Sequence, residues 1–274
     1  MSTSVNYQAV QNEPGRVAVA GNDDWLRKAI VSRLASTGLA VRNFGEGSTS
    51  LDRCETLVLT PRLVPCTRSA TRDIGLSAST LTLVGAIAGD TDQVVLVSLV
   101  GADPKQTGHL GALGALHSKI VAHGWNPTVI RASQIYGATN DPGPLVQQME
   151  RTLQRDGGRL GRQRIDPVRL ADVLDVVEDA VCRRLSSRIV DIVGSRSLEV
   201  GTFIEELGRQ VDHSPSLLST APRFRWWRRH CVDHALSEML ESQSSGLPRN
   251  VLPPIDDKRA KDDPSQSDSI AEVA

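Results

Sequence analysis

The stretch Gln93-Val-Val-Leu-Val-Ser98 decides the fold. Four aliphatic residues run without a break between two polar ends. A strand of this kind has no face left for water. It belongs inside a parallel sheet with helices on both sides. Upstream, Arg16-Val-Ala-Val-Ala20 ends in Gly21 and Thr56-Leu-Val-Leu-Thr60 ends in Pro61, with the same texture. Leu39-Ala-Val-Arg-Asn-Phe44 reads as a strand between them. Residues 24–37 place Leu26, Ile30, Val31 and Leu34 on one helical face, and Gly38 ends the run. Further helices are predicted over 77–89 and 108–123.

Downstream, Pro127-Thr-Val-Ile-Arg131 and Arg188-Ile-Val-Asp-Ile-Val193 read as strands. Residues 145–155, 168–184 and 200–211 read as helices. In the second of these, Leu170, Val173, Leu174, Val177 and Val181 fall at helical spacing. Strands alternating with helices imply right-handed βαβ units. The expected class is therefore α/β: a Rossmann-type, doubly wound parallel sheet with a small C-terminal substrate-binding region. Residues 1–15 read as a flexible N-terminus. Residues 16–241 read as one domain, with a dinucleotide-binding-like core over about 16–140 and a substrate or lid region over 141–241. From Ser242 to Ala274 the composition turns to Ser, Pro, Asp and Lys, so a disordered tail is expected.

Composition narrows the function classes. At 39% hydrophobic and 23% charged residues, the chain has an ordinary soluble, globular profile. A net charge of −1 provides no field that would gather nucleic acid or a membrane surface. Aromatics, at 3%, supply no row of base-stacking platforms. No apolar run approaches the roughly 20 residues that span a bilayer. The N-terminus lacks the basic-then-apolar order of a secretion signal, so a cytoplasmic location is expected. Cys54, Cys66, Cys182 and Cys231 have no metal-site spacing, and no metal is expected.

Three segments carry a family likeness. They are Val94-Val-Leu-Val-Ser-Leu-Val-Gly-Ala-Asp-Pro104, His123-Gly-Trp-Asn-Pro-Thr-Val-Ile-Arg-Ala-Ser-Gln-Ile-Tyr-Gly137, and Ile165-Asp-Pro-Val-Arg-Leu-Ala-Asp-Val173. In that order they resemble the atypical branch of the short-chain dehydrogenase/reductase superfamily, the NmrA-like and NAD-dependent epimerase-like proteins, over residues 16–212. The resemblance implies NAD(P) as cofactor, a glycine loop of roughly GxxGxxG, and a Ser with a Tyr-xxx-Lys pair for proton transfer. The candidate cofactor residues are then Gly21, Asn22, Asp23, Asp24, Trp25 and Leu26 of the loop, with Asn43, Thr60, Pro61, Ser98 and Ala132 at later strand ends.

The loop departs from that pattern. It reads Gly21-Asn22-Asp23-Asp24-Trp25-Leu26-Arg27, and Asp24 and Arg27 stand at the second and third glycine positions. Glycines let the backbone approach the pyrophosphate, which the helix N-terminus then holds. A carboxylate at that helix start caps the same N–H groups and repels phosphate. Two like charges about 4 Å apart cost roughly 1 kcal/mol in water and about 4 at an effective dielectric of 20. Arg27 is placed to offset that cost. Two readings stay open: a self-capped helix without ligand, or a modified NAD(P) site. At the end of the second strand, Asn43-Phe-Gly-Glu46 selects neither NAD nor NADP.

The catalytic positions depart too. Ser98 falls at or beside the family serine. His109 falls at the Tyr position and Leu113 at the Lys position. The chain's two tyrosines, Tyr7 and Tyr136, have no Lys four residues on. Ser98 and His109 are the candidate catalytic residues, His109 because its ordinary pKa lies near neutrality. His117 is a lesser candidate. Gly108, Gly111 and Gly114 make the helix small-sided, for close packing or to leave room for a substrate. Arg223-Phe-Arg-Trp-Trp-Arg-Arg-His230 reads as a lid or interface anchor. Two functions remain. One is an enzyme acting on a small organic substrate, in secondary metabolism, by nonstandard NAD(P)H-dependent reduction or by a cofactor-free dehydration, cyclisation or rearrangement. The other is a non-catalytic regulator or accessory partner. Partners are then a small molecule, a second copy or another enzyme.

Overall fold

A computed structural model of the chain describes residues 16–44, 54–65, 91–138, 140–156, 159–182, 185 and 188–210, together with Leu236, Met239, Leu240 and Gln243. The N-terminus 1–15, the helix expected over 77–89, the Arg223–His230 segment, Cys66, Cys231 and residues 244–274 lie outside the described residues.

In chain order the elements are β1 (Arg16–Gly21), α1 (Asp24–Ser36), β2 (Ala40–Phe44), β3 (Thr56–Thr60), β4 (Gln93–Leu99), α2 (Gly108–Ala122), β5 (Thr128–Ala132), β6 (Ile135–Tyr136), α3 (Pro144–Asp156), β7 (Arg164–Ile165), β8 (Val168–Arg169), α4 (Leu170–Cys182), β9 (Ile189–Ile192), β10 (Leu198–Glu199) and α5 (Val200–Gln210). Six strands form one sheet in the order β2-β1-β3-β4-β5-β9, every neighbouring pair parallel. The class expected from the sequence is the class observed.

Alternation along the strands sorts the core into two layers. Val17, Val19, Val58, Val95, Val97 and Ile130 share a cluster with Leu26, Ile30 and Leu34 of α1 and with Val173 and Val177 of α4. On the other face Ala18, Ala20, Leu57, Leu59, Val94 and Leu96 meet Leu116 and Ile120 of α2. Every residue of β3 and β4 is buried, as their unbroken apolar runs require. The β2 strand, at one end of the order, is largely exposed.

Two expectations need correction. Val168 and Arg169 do not open a helix. They pair in parallel with Ile135 and Tyr136, and the Val168 N–H donates to the Gln134 carbonyl at 2.9 Å. Tertiary strand pairing overrides the helical pattern there, and α4 starts at Leu170. Gln243, one residue inside the stretch expected to be loose, is only 2% exposed. Its carboxamide finds buried partners in the domain, which composition alone does not reveal.

Gly21 sets the closest approach in the sheet. Its φ is +148°, and a Cβ there would lie 2.0 Å from the Thr60 carbonyl oxygen of β3. Only glycine lets β1 and β3 meet in this register at their ends. We expect Gly21→Ala to lower stability by about 3 kcal/mol, a fall in Tm of about 6–12 °C for a domain of this size. Thermal unfolding by circular dichroism checks this, and a shift within about 2 °C contradicts it.

Candidate functional site

In an open parallel sheet, ligands bind beyond the carboxyl ends of the strands where the strand order reverses. Here the chain passes from β1 to β2 on one side, then crosses to β3 on the other. The switch point therefore lies between β1 and β3. Gly21, Asn22 and Asp23 leave β1 there, α1 begins there, and Thr60, Pro61, Arg62 and Leu63 leave β3 there.

The chain occupies this point with its own groups. Asp23 is the N-cap of α1, and its Oδ1 accepts from the Leu26 N–H at 3.1 Å. Its Oδ2 accepts from the Leu63 N–H at 3.3 Å, and its own N–H donates to the Thr60 carbonyl at 3.2 Å. One carboxylate thus joins the helix start to the chain leaving β3. Burial pushes the Asp23 carboxyl pKa up, against the two backbone N–H donors and the Arg62 charge that lower it. Arg27 is committed as well. Its Nη1 donates to the Gly21 carbonyl at 2.5 Å, and its Nη2 lies 2.6 Å from Asp24 Oδ1. Its guanidinium is turned inward, while the Asp24 side chain stays exposed.

Trp25 closes the crevice from above. Its indole lies over Gly137 and Gly143, where an added Cβ would fall 2.8 and 2.9 Å from the ring. Its Nε1 donates to Asp141 Oδ2 at 2.9 Å. Beneath the ring, Asp23, Leu26, Leu63, Val64, Leu99, Ile135, Pro144 and Leu145 line a small, partly open apolar pocket. A pyrophosphate placed at the start of α1 would meet the buried Asp23 carboxylate.

The candidate catalytic residues separate. Ser98 is buried at the end of β4, on the face of Val94 and Leu96. His109, in the first turn of α2, backs onto Arg62 and Leu63. Among the described residues its buried Nε2 has no hydrogen-bond partner, so no bond through that nitrogen joins it to Ser98. Burial pushes the His109 pKa down to about 4, so the ring is neutral at pH 7. Leu113 is fully buried in the larger core cluster. A Cβ on Gly111 or Gly114 would lie 2.0 Å from the Gln106 carbonyl oxygen or 2.2 Å from the Asp103 carbonyl carbon. The small-sided helix therefore serves close packing against 103–106 and leaves no room there. His117 is partly buried, with its pKa lowered by burial and by the Arg131 charge.

Of the other candidates, Thr60 and Pro61 stand at the switch point. Asn43 is exposed on β2, and Ala132 is buried in the larger core cluster. Sequence reasoning missed Leu63 as a partner of Asp23, and it missed Gln134 and Gln243. A backbone N–H carries no signature in sequence, and the two glutamines are 109 residues apart. Among the described residues, no group of three His, Cys, Asp or Glu is placed to hold a metal ion, and no helix is long and apolar enough to cross a membrane.

No protein-family model matches the sequence, and no curated protein matches it. Solved structures do match the fold. A UDP-glucose 4-epimerase with UDP-glucose from Thermotoga maritima superposes with a TM-score of 0.52 at 17% identity, covering 84% of this chain and 99% of that one. A UDP-glucose 4-epimerase from Thermus thermophilus in complex with NAD gives 0.52 at 16% identity, over 73% and 84%. An NAD-dependent NDP-hexosamine 5,6-dehydratase involved in tunicamycin biosynthesis gives 0.51 at 16% identity, over 85% and 98%. The chain shares the α/β fold of these epimerase and dehydratase structures. Fold alone does not assign an activity.

Asp23 and His109 pull stability in opposite directions with pH. The neutral His109 contributes stability above its ordinary value of 6.5, and this is lost as pH falls from there to about 4. The raised Asp23 contributes below the ordinary carboxylate range and loses that contribution as pH rises through its folded value. We expect His109→Phe to remove an acid-side loss of about 3 kcal/mol. Asp23→Asn keeps an acceptor for Leu26 and should remove the opposite slope. Denaturant unfolding across pH 4–7 reads both. His109→Phe and wild-type curves of the same shape would contradict the assignment.

Proposed function

We propose that this chain is a non-catalytic Rossmann-fold binding protein, a cytoplasmic regulator or accessory partner, built on the scaffold of the NAD-dependent epimerases and dehydratases. One observation carries the proposal: Asp23 caps α1 and bonds the Leu63 N–H, taking the place where the pyrophosphate of a dinucleotide would sit. A second supports it. The positions corresponding to the proton-transfer pair hold a buried neutral histidine and a core leucine, His109 and Leu113.

Magnitudes favour this reading over a modified cofactor site. A phosphate about 4 Å from a carboxylate at an effective dielectric of 20 costs about 4 kcal/mol. That is nearly three decades in affinity, enough to move micromolar binding to millimolar. The Arg27 guanidinium is directed to the Gly21 carbonyl and Asp24. We expect calorimetric titration with NADH and with NADPH to give no saturable heat up to about 1 mM, and the purified protein to carry no nicotinamide absorbance. Micromolar binding of either would overturn the proposal.

A second reading has one observation in its favour. His109 is neutral at pH 7, the form a proton acceptor needs in a cofactor-free dehydration, cyclisation or rearrangement of a small organic substrate, including one in secondary metabolism. Its test is turnover that disappears in His109→Ala. Unchanged turnover removes His109 from the reaction.

A further inference from the structure

The small pocket beneath Trp25 has one charged wall. Leu26, Leu63, Val64, Leu99, Ile135 and Leu145 supply hydrocarbon, Pro144 and the indole add to it, and Asp23 is the only ionisable residue in the lining. The pocket is partly open. It lies at the switch point, beyond the carboxyl ends of the strands, where sheets of this kind take their ligands.

Asp23 is only 6% exposed. Its two oxygens each accept a backbone N–H, from Leu26 and from Leu63, and both donors are neutral. Among the described residues no Lys, Arg or His forms an ion pair with it. Arg27 pairs with Asp24, and Arg62 acts on Asp23 only as a charge at longer range. A buried charge is stable when an opposite charge meets it. Each carboxylate oxygen keeps a lone pair for a further donor.

The head group of a ligand in this pocket is decided by that carboxylate. An anion meets a like charge and is repelled. An alcohol donates one hydrogen bond and brings no charge. An ammonium group donates and also supplies the opposite charge, and such charge-assisted bonds are about twice as strong as neutral ones. Trp25 adds to the same preference, since indole is the best aromatic partner of a cation. The aliphatic walls require an apolar body, and the small size of the pocket requires a short one.

We infer that the pocket beneath Trp25 is a binding site for a small hydrophobic amine, its ammonium group taken by Asp23 and its hydrocarbon by Leu63, Val64 and Leu145. The inference rests on the reading of the chain as a binding protein and names the chemistry of its ligand. The amine binds and leaves unchanged.

Nitrogen-15 correlation spectra of the isotope-labelled full chain at neutral pH test it, with isobutylamine, isobutanol and isovalerate as probes. These carry one branched hydrocarbon with a cationic, a neutral and an anionic head. Isobutylamine should shift the Leu26 and Leu63 amides and the Trp25 indole N–H together, saturating with a midpoint of about 5 mM or lower. Isobutanol should bind at least about tenfold more weakly, and isovalerate should leave the three signals unmoved. Asp23→Asn should bring the amine and the alcohol to the same affinity. Val64→Phe enlarges a partly buried wall of the pocket and should weaken amine and alcohol alike, which keeps the test decisive if Asp23→Asn fails to fold. The inference is overturned if isobutylamine gives no saturable shift up to about 50 mM, if isobutanol or isovalerate binds as tightly, or if Val64→Phe changes nothing. Those failures leave the proposed function standing. NADPH shifting the same amides overturns that function, whatever the amine does.

Discussion

The bonds from Asp23 to the start of α1 and to the chain leaving β3 govern this molecule. One carboxylate caps α1 through Leu26 and bonds the chain leaving β3 through Leu63. Helix N-termini carry free N–H groups and partial positive charge, which a capping side chain, water or an anion can satisfy. In a dinucleotide-binding protein the anion comes from outside. In this chain it is covalently part of the loop. The helix start has an anion of its own, although burial raises the carboxyl's pKa.

The surrounding departures are consistent with that substitution. Arg27 stands where a third glycine would allow close backbone approach, and it folds back onto the Gly21 carbonyl. Trp25 takes space above the crevice and packs on Gly137 and Gly143, so the glycines here face an indole. Gly111 and Gly114 let α2 press against residues 103–106. Leu113 joins the core, and His109 is buried against the Arg62–Leu63 backbone. At each of these places side chains and backbone are closely packed, as protein interiors are. The result is a closely packed switch point on a fold shared with these epimerase and dehydratase structures.

The sheet was legible because its signals are local. Runs such as Val94–Val97 and Leu57–Leu59 have one physical solution, burial on both faces, and the helix of residues 24–36 announces itself by Leu26, Ile30 and Leu34. The capping role of Asp23 was legible for the same reason, since an acid before a helical run has a specific chemistry. Val168–Arg169 misled because two residues of parallel pairing override thirteen of helical period, and pairing with Ile135–Tyr136 is invisible along the sequence. The choice between substrate room and close packing at Gly111 and Gly114 depends on what lies opposite, which only the three-dimensional arrangement supplies. Gln243 is the extreme case, a polar residue in a polar tail whose partners, Val100 and Gln134, lie more than a hundred residues earlier.

The central claim is that Asp23 holds the helix start against any dinucleotide. The amide resonances of Leu26 and Leu63 report it directly, because each donates to one oxygen of that carboxylate. Nitrogen-15 correlation spectra recorded on the isotope-labelled chain, first across pH and then with millimolar NADPH, follow both signals. The account predicts that the two amides shift together with a single apparent pKa above the ordinary carboxylate range, and that NADPH leaves both unmoved. If the two amides titrate independently, or if NADPH at sub-millimolar concentration shifts both as it takes over the α1 N-terminus, the account is wrong.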